Sequence, residues 1–132
     1  QIAKPKTAAY DYQRRVLGTD IERKLVADDG KTSIFADSVT PDGTAYTAWD
    51  AKHSGGGSKA MHEGNATSFV QDRGMAKFDE NMRKYAAVIQ SPGNPVSKLV
   101  IVTNTPEAQA YLTQRLQNIL GADIPFEVQL TP

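Results

Sequence analysis

Residues 34–53 have the sequence IFADSVTPDGTAYTAWDAKH, which is the pattern of two β-strands joined by a tight turn. Thr32 to Val39 is predicted to be the first strand and Thr44 to His53 the second. The intervening Pro-Asp-Gly, residues 41–43, is typical of a turn between strands. The pattern therefore predicts a β-hairpin near the middle of the chain.

Three charged side chains of this hairpin are expected to meet at one point. Side chains two apart on a strand point to the same face, so Asp50 and Lys52 share one face, opposite Trp49 and Ala51. Asp37, at the far end of the neighbouring strand, reaches the same point if the hairpin is staggered. Two carboxylates and a lysine are the groups that metal-dependent hydrolysis of a phosphodiester requires.

The predicted roles follow from that chemistry. Asp37 and Asp50 would hold Mg²⁺, and the backbone carbonyl of Ala51 would supply a third oxygen. Lys52 would orient or deprotonate the attacking water and neutralise the charge that develops on the phosphorane. The competing interpretation is a solvated hairpin edge on which Asp50 and Lys52 form a surface ion pair that contributes ~0–1 kcal/mol.

The rest of the chain predicts the element order α-β-β-β-α-β-α-β, in which the first three strands form an antiparallel meander. Crossover helices between the later strands imply a mixed sheet with helices packed on it, an α/β (α+β) fold. The other predicted elements are a helix over 10–17, a strand over 21–27, a glycine- and serine-rich loop over 53–66, a helix through Phe78, Met82, Tyr85 and Ile89, a buried strand over 98–104, a helix from Thr105 to Gly121 and a strand over 126–130.

Length and composition suit one compact domain. The chain has 132 residues, of which 39% are hydrophobic, enough for a core. We expect residues 1–7 to be a linker and residues 8–132 to form a single domain. Because the first residue is Gln1 rather than methionine, the chain is interpreted as a piece of a longer polypeptide.

Charge and cysteine content exclude several classes of protein. Fifteen basic residues balance fifteen acidic ones, which argues against binding to nucleic acid by bulk positive charge. No cysteine is present, so disulfides and thiolate metal sites are excluded. The sequence contains no apolar run of the length that a membrane helix needs and no signal peptide.

The segment from Tyr12 to Gly18, followed by Glu22, Asp37 and the triplet Asp50-Ala51-Lys52, resembles the restriction-endonuclease-like fold of the PD-(D/E)xK nucleases. In particular it is similar to the toxin domains of this fold at the C-termini of bacterial polymorphic toxins. Those domains are delivered into competing bacteria by contact-dependent or type VI systems and are blocked by a cognate immunity protein. The family more often has glutamate at the position of Asp50. Because the aspartate side chain is shorter, the geometry with which it would bind a metal differs.

The resemblance implies a metal-dependent endonuclease toxin that uses Mg²⁺ or Mn²⁺ and acts in the cytoplasm of the target bacterium. It implies that Glu22 completes the acidic set of Asp37 and Asp50. DNA is favoured as the substrate because most members of the fold cut DNA, while tRNA remains open because several toxins of the class cut it.

Five further residues are expected to contact the substrate. In this fold the first and middle helices flank the cleft, and the glycine-rich loop lies beside it, so their polar side chains are candidates to bind backbone phosphates. These candidates are Gln13, Arg14, His53, Lys59 and Lys84.

Two alternatives remain open at this point. His53 and His62 could serve as acid and base of a metal-independent ribonuclease, which EDTA would not inhibit. Alternatively, the domain is a binding module that keeps the sheet without the chemistry, so Lys52→Ala would leave toxicity unchanged.

Overall fold

A computed structural model describes residues 7–55, 60–64 and 68–132, and the predicted order of helices and strands matches it closely. The first six residues of the predicted linker and the loop residue Lys59 lie outside the described residues. The elements are α1 (Ala8–Leu17), β1 (Arg23–Val26), β2 (Ser33–Ala36), β3 (Ser38–Asp42), β4 (Ala45–Lys52), a 3-10 turn (Met61–Glu63), α2 (Ser68–Ile89), β5 (Val96–Thr103), α3 (Pro106–Leu120) and β6 (Phe126–Leu130).

The main sheet has four strands in the order β3-β4-β5-β6. β3 pairs antiparallel with β4, whereas β4–β5 and β5–β6 are parallel pairs. Each parallel pair is joined by a helix, α2 or α3, because parallel neighbours need a crossover connection. This is the mixed sheet with packed helices that the sequence predicts.

The larger part of the core lies between the sheet and helices α2 and α3. The continuous apolar run of β5 is buried on both faces, as predicted, and its residues Leu99 and Ile101 face this core. α2 and α3 contribute apolar residues at helical spacing, namely Phe78, Met82, Tyr85, Val88, Leu112 and Leu116.

Helix α1 covers the opposite face of the sheet. Its Tyr12 packs with Val100 and Val102, and its hydroxyl donates a 2.7 Å hydrogen bond to the main-chain oxygen of Thr131. Arg15 donates a 2.8 Å hydrogen bond to the oxygen of Pro132. The first helix is therefore held in place by the last two residues of the chain.

Local signals explain where α1 begins and ends. The Thr7 hydroxyl accepts a 3.0 Å hydrogen bond from the Tyr10 amide, which satisfies an otherwise free donor of the first turn. Gly18 follows the helix with φ 72°, a left-handed conformation that glycine adopts without steric cost.

The predicted three-stranded meander is wrong in one respect, because the strand expected over Thr32–Val39 is two strands. β2 pairs with β1 in a separate two-stranded sheet, and β3 begins after Asp37 in the main sheet. Between them the Asp37 side chain accepts a hydrogen bond from the amide of Ala51. A side-chain acceptor thus replaces a main-chain partner at the break.

The predicted turn is also shorter than expected. Pro41 and Asp42 belong to β3 and pair with Tyr46 and Ala45 of β4, so the connection consists of residues 43–44 alone. Gly43 has φ 65°, as two-residue hairpin loops require. Proline is tolerated in β3 because this is an edge strand.

The described part of the chain includes no helix long and apolar enough to cross a membrane.

Candidate active site

The acidic residues predicted from the hairpin converge on one pocket. A cavity of about 300 Å³ is lined by Glu22, Asp37, Asp50 and Lys52. α1 forms one wall of this cavity, β2 a second and Asn81 of α2 a third. Asp37 and Asp50 are only 8% and 6% exposed, so both residues are buried although they line the cavity.

The break between β2 and β3 positions Asp37. Its amide donates a 2.9 Å hydrogen bond to the oxygen of Trp49, and its Oδ2 accepts a 2.8 Å hydrogen bond from the amide of Ala51. The N–H and C=O of one strand residue lie on the same edge of the strand. The carbonyl of Ala51 is therefore on the Asp37 side of β4, where a third oxygen was predicted.

The alternation of β4 brings Asp50 and Lys52 together, as predicted. The Lys52 Nζ lies 3.0 Å from Asp50 Oδ1. The Tyr85 hydroxyl, which comes from α2, donates a 2.9 Å hydrogen bond to Asp50 Oδ2. Each oxygen of this carboxylate thus has its own donor.

Glu22 also belongs to the cluster. It lies between α1 and β1, lines the same cavity, and is hydrogen-bonded to Asp37. Three carboxylates and one ammonium group therefore share the pocket.

Burial and mutual repulsion change the acidity of these groups. Burial, reinforced by the negative charge of Asp50, raises the pKa of Asp37 to about 8. Burial alone would lower the pKa of Lys52, but the carboxylates of Asp50 and Asp37 outweigh it and raise that pKa. Burial and the same two acids raise the pKa of Tyr85 well above its ordinary value. At neutral pH Asp37 therefore holds a proton, while Lys52 is charged and Tyr85 is a donor.

The carboxylate oxygens of the pocket fit a hard divalent cation for which the protein supplies only some of the ligands. Among the described residues no three Asp, Glu, His or Cys side chains are arranged to hold a metal ion. Mg²⁺ commonly takes only one or two carboxylates and completes its shell with water and substrate oxygens. Asp37 and Asp50 would be two such ligands: burial, and secondly the charge of Asp50, raise the pKa of Asp37 to about 8, and a bound cation would offset both effects.

The remaining predicted residues lie in different places. Gln13 lines the acidic pocket, whereas Arg14 is exposed on α1. Lys84 forms an ion pair with Glu80 at 3.4 Å and lines a second, separate groove with Lys31 and Arg83. For Arg14 and Lys84, contact with substrate stays a prediction.

The two histidines do not line the acidic pocket. His53 and His62 line a different hollow of about 260 Å³. The His53 ring packs against Tyr12 with centroids 5.6 Å apart, and the His62 ring lies 6.3 Å from that of Phe78. Burial, and secondly the charge of Lys52, lowers the pKa of His62, so it is neutral at pH 7.

Sequence reasoning missed Asn81, which lines the pocket, and Tyr85, which hydrogen-bonds to Asp50. Tyr85 was predicted only as part of the apolar face of α2. The available signal was their spacing: the two polar groups stand four residues apart, on either side of Met82, on a helix face that otherwise packs into the core.

We expect Tyr85→Phe to lower the free energy of unfolding by about 1–3 kcal/mol, because it leaves a buried oxygen of Asp50 without its donor. Urea denaturation followed by circular dichroism measures the change. Tyr46→Phe, at a tyrosine that is 39% exposed, is the matched control and is expected to have no effect. Equal stability of the two variants would contradict the role assigned to the Tyr85 hydroxyl.

Comparison with known families gives a match that covers most of the chain. The model of a family described as "Restriction endonuclease fold toxin 2" matches residues 8–119. Neither a curated protein nor a solved structure matches the chain.

Proposed function

The chain belongs to the restriction endonuclease fold toxin 2 family, and from this premise we propose that it is a divalent-metal-dependent endonuclease that acts as an interbacterial toxin. Family membership indicates a nuclease toxin. The metal, the substrate and the partner are our proposals.

One observation carries the proposal: two buried carboxylates and a charged lysine share a single pocket. Such a cluster lowers the stability of the folded protein. Burial, and secondly the charge of Asp50, raise the pKa of Asp37 to about 8. Strongly perturbed carboxylates in a cleft are typical of functional sites. A site built only for stability would gain more from apolar side chains at these positions.

Asp37, Asp50 and the carbonyl of Ala51 would hold Mg²⁺ or Mn²⁺, and Glu22 would support them through its hydrogen bond with Asp37. The cation, when bound, polarises the phosphate and lowers the pKa of a bound water. The fold brings these carboxylates together and buries Asp37 and Asp50. The other coordination positions of the cation would be left to water and substrate.

We assign Lys52 the role of orienting the attacking water and neutralising charge on the phosphorane. The carboxylates around it raise its pKa, so the ammonium keeps its proton at neutral pH and is unsuited to act as a base. A fixed cation aimed at developing negative charge contributes directly to the rate. Its 3.0 Å contact with Asp50 fixes its position.

The biological setting that we propose follows from the toxin family. The domain is delivered as the C-terminal part of a larger toxin and acts in the cytoplasm of the target bacterium. A cognate immunity protein protects the producing cell. DNA is our first candidate for the substrate and tRNA the second.

The purified protein is expected to degrade nucleic acid with Mg²⁺ or Mn²⁺ and to be inactive in EDTA, because the carboxylates cannot activate water alone. Plasmid DNA and total tRNA, each incubated with either metal and with EDTA, provide the test. The substrate that is lost identifies the natural class. If folded protein degrades neither substrate, the binding module is the correct interpretation.

A second candidate has one observation in its favour: His53 and His62 share a hollow, as acid and base of a metal-independent ribonuclease would. Degradation of tRNA that persists in EDTA and is lost in His62→Ala would establish it and displace the acidic pocket as the active site.

A further inference from the structure

The acidic pocket is small, and its carboxylates Asp37 and Asp50 are buried. Its volume of about 300 Å³ is at the lower end of the range for small-molecule sites, which suits one nucleotide. A substrate phosphate must therefore enter between α1, β2 and α2 to approach the carboxylates.

The wall formed by α1 is fixed. Tyr12 is buried in the apolar cluster on that face of the sheet, and its hydroxyl is bonded to Thr131. In the same helix, Tyr10 donates a 2.7 Å hydrogen bond to Asp20 Oδ2, which holds its ring at the cavity. A movement of α1 that widens the pocket would break the hydrogen bonds of both Tyr12 and Tyr10.

The fixed wall carries a polar group that lacks a partner. Gln13 is 6% exposed and lines the cavity. Within the described residues, its Nε2 is the only buried side-chain nitrogen or oxygen that has no hydrogen-bond partner. A buried amide without a partner is costly, and its position at the cavity provides a donor for an acceptor that enters from outside.

The same cavity is lined by two half-buried aromatic side chains, Tyr10 of α1 and Phe35 of β2. Aromatic rings are the usual surfaces on which unpaired bases stack. A fully paired base has its faces covered by its neighbours and its hydrogen-bonding edge occupied by its partner, so it can use neither the rings nor the amide.

We propose that this pocket takes an unpaired nucleotide, so that the enzyme cuts single-stranded or locally unpaired nucleic acid in preference to duplex. Gln13 is the residue that holds the nucleotide, by donating Nε2–H to it. A duplex is stiff and presents its phosphates on a convex surface, whereas an unpaired strand can turn a nucleotide inward by rotation of its backbone. This inference rests on the proposed nuclease function.

The test compares three probes of the same sequence: a labelled single strand, the fully paired duplex, and that duplex with one unpaired bulge. DNA and RNA versions are cut by wild-type protein with Mg²⁺ or Mn²⁺. We expect the single strand to be cut about tenfold faster than the duplex or more, and the bulged duplex to be cut at the bulge. Equal rates on the paired and unpaired probes would overturn the inference while leaving the nuclease intact.

Binding provides a second readout, with Ca²⁺ in place of Mg²⁺ and fluorescence anisotropy of the same probes. Tighter binding of the unpaired probes supports the inference, and equal binding of both forms overturns it. Absence of both binding and cleavage on every probe would reject the nuclease itself, so the two failures are distinguishable.

Gln13→Leu tests the assigned residue. We expect KM for the single strand to rise about tenfold while Tm is unchanged or higher, because the variant removes a buried donor that has no partner. Gln117→Leu, at an exposed glutamine of α3, is the matched control. A fall in Tm with unchanged KM would show that Gln13 is structural and would remove it from the proposal.

Discussion

Lys52→Ala is expected to lower the rate of cleavage by about 10²–10³-fold. The variant removes the cation that lies 3.0 Å from Asp50, and with it a positive charge on the lining of the acidic pocket. It also leaves Asp37, Asp50 and Glu22 to repel one another and the negatively charged substrate. Single-turnover cleavage of whichever substrate the wild type degrades measures the loss.

Lys98→Ala is the matched control for this variant. Lys98 lies on the neighbouring strand β5 and forms an ion pair with Glu127 at 3.4 Å, but it is half-buried and does not line the acidic pocket. We expect it to retain full activity. Circular dichroism shows whether each variant is folded. A folded Lys52→Ala enzyme with more than about half of the wild-type rate would exclude the proposed role of the ammonium.

Asp37→Asn is expected to abolish cleavage and at the same time to stabilise the metal-free protein. Asparagine resembles the protonated form of Asp37 and keeps an oxygen to accept from the amide of Ala51. It cannot, however, supply a negative ligand to a cation. We therefore expect the variant to lose activity. It also lacks the negative charge that repels the Asp50 carboxylate.

The stabilisation depends on pH in a defined direction. The pKa of Asp37 is about 8 in the folded protein and ~4 when unfolded, so between these values the folded state binds the extra proton. The stability of the wild type therefore falls as pH rises from ~4 to about 8. We expect the variant to lack this decline and to exceed the wild type by about 2 kcal/mol or more at pH 8.

Urea denaturation in EDTA at several pH values measures this difference. An advantage that is the same at pH 5 and at pH 8 would show that the charge of Asp37 is not its source. Asp42→Asn, at an exposed aspartate of the same strand region, controls for the general effect of removing a carboxylate.

The sequence was sufficient to predict the part of the site that depends on local periodicity. Asp50 and Lys52 share a face because strand side chains alternate, and Asp37 follows from the hairpin that brings β3 beside β4. The membership of Glu22 came from the resemblance alone, since no spacing rule connects it to the hairpin.

The rest depends on contacts between distant parts of the chain. Tyr85 reaches Asp50 across 35 positions, and its four-residue spacing from Asn81 does not indicate which residue of another element its hydroxyl contacts. Gln13 was predicted as a candidate to contact the substrate, and its burial arises because α1 packs on the sheet. The strand break at Asp37 has no glycine or proline to mark it. It arises from a side-chain hydrogen bond that only the folded sheet makes possible.

The anchoring of α1 has a consequence for the order in which the enzyme assembles. The hydrogen bonds from Tyr12 and Arg15 to the final residues span 119 and 117 positions, nearly the whole chain. During synthesis this wall cannot take its final position until residues 131 and 132 have been added. The candidate active site is therefore completed by contacts between segments far apart in the sequence, and we expect the proposed nuclease to lack activity while residues 131 and 132 are missing.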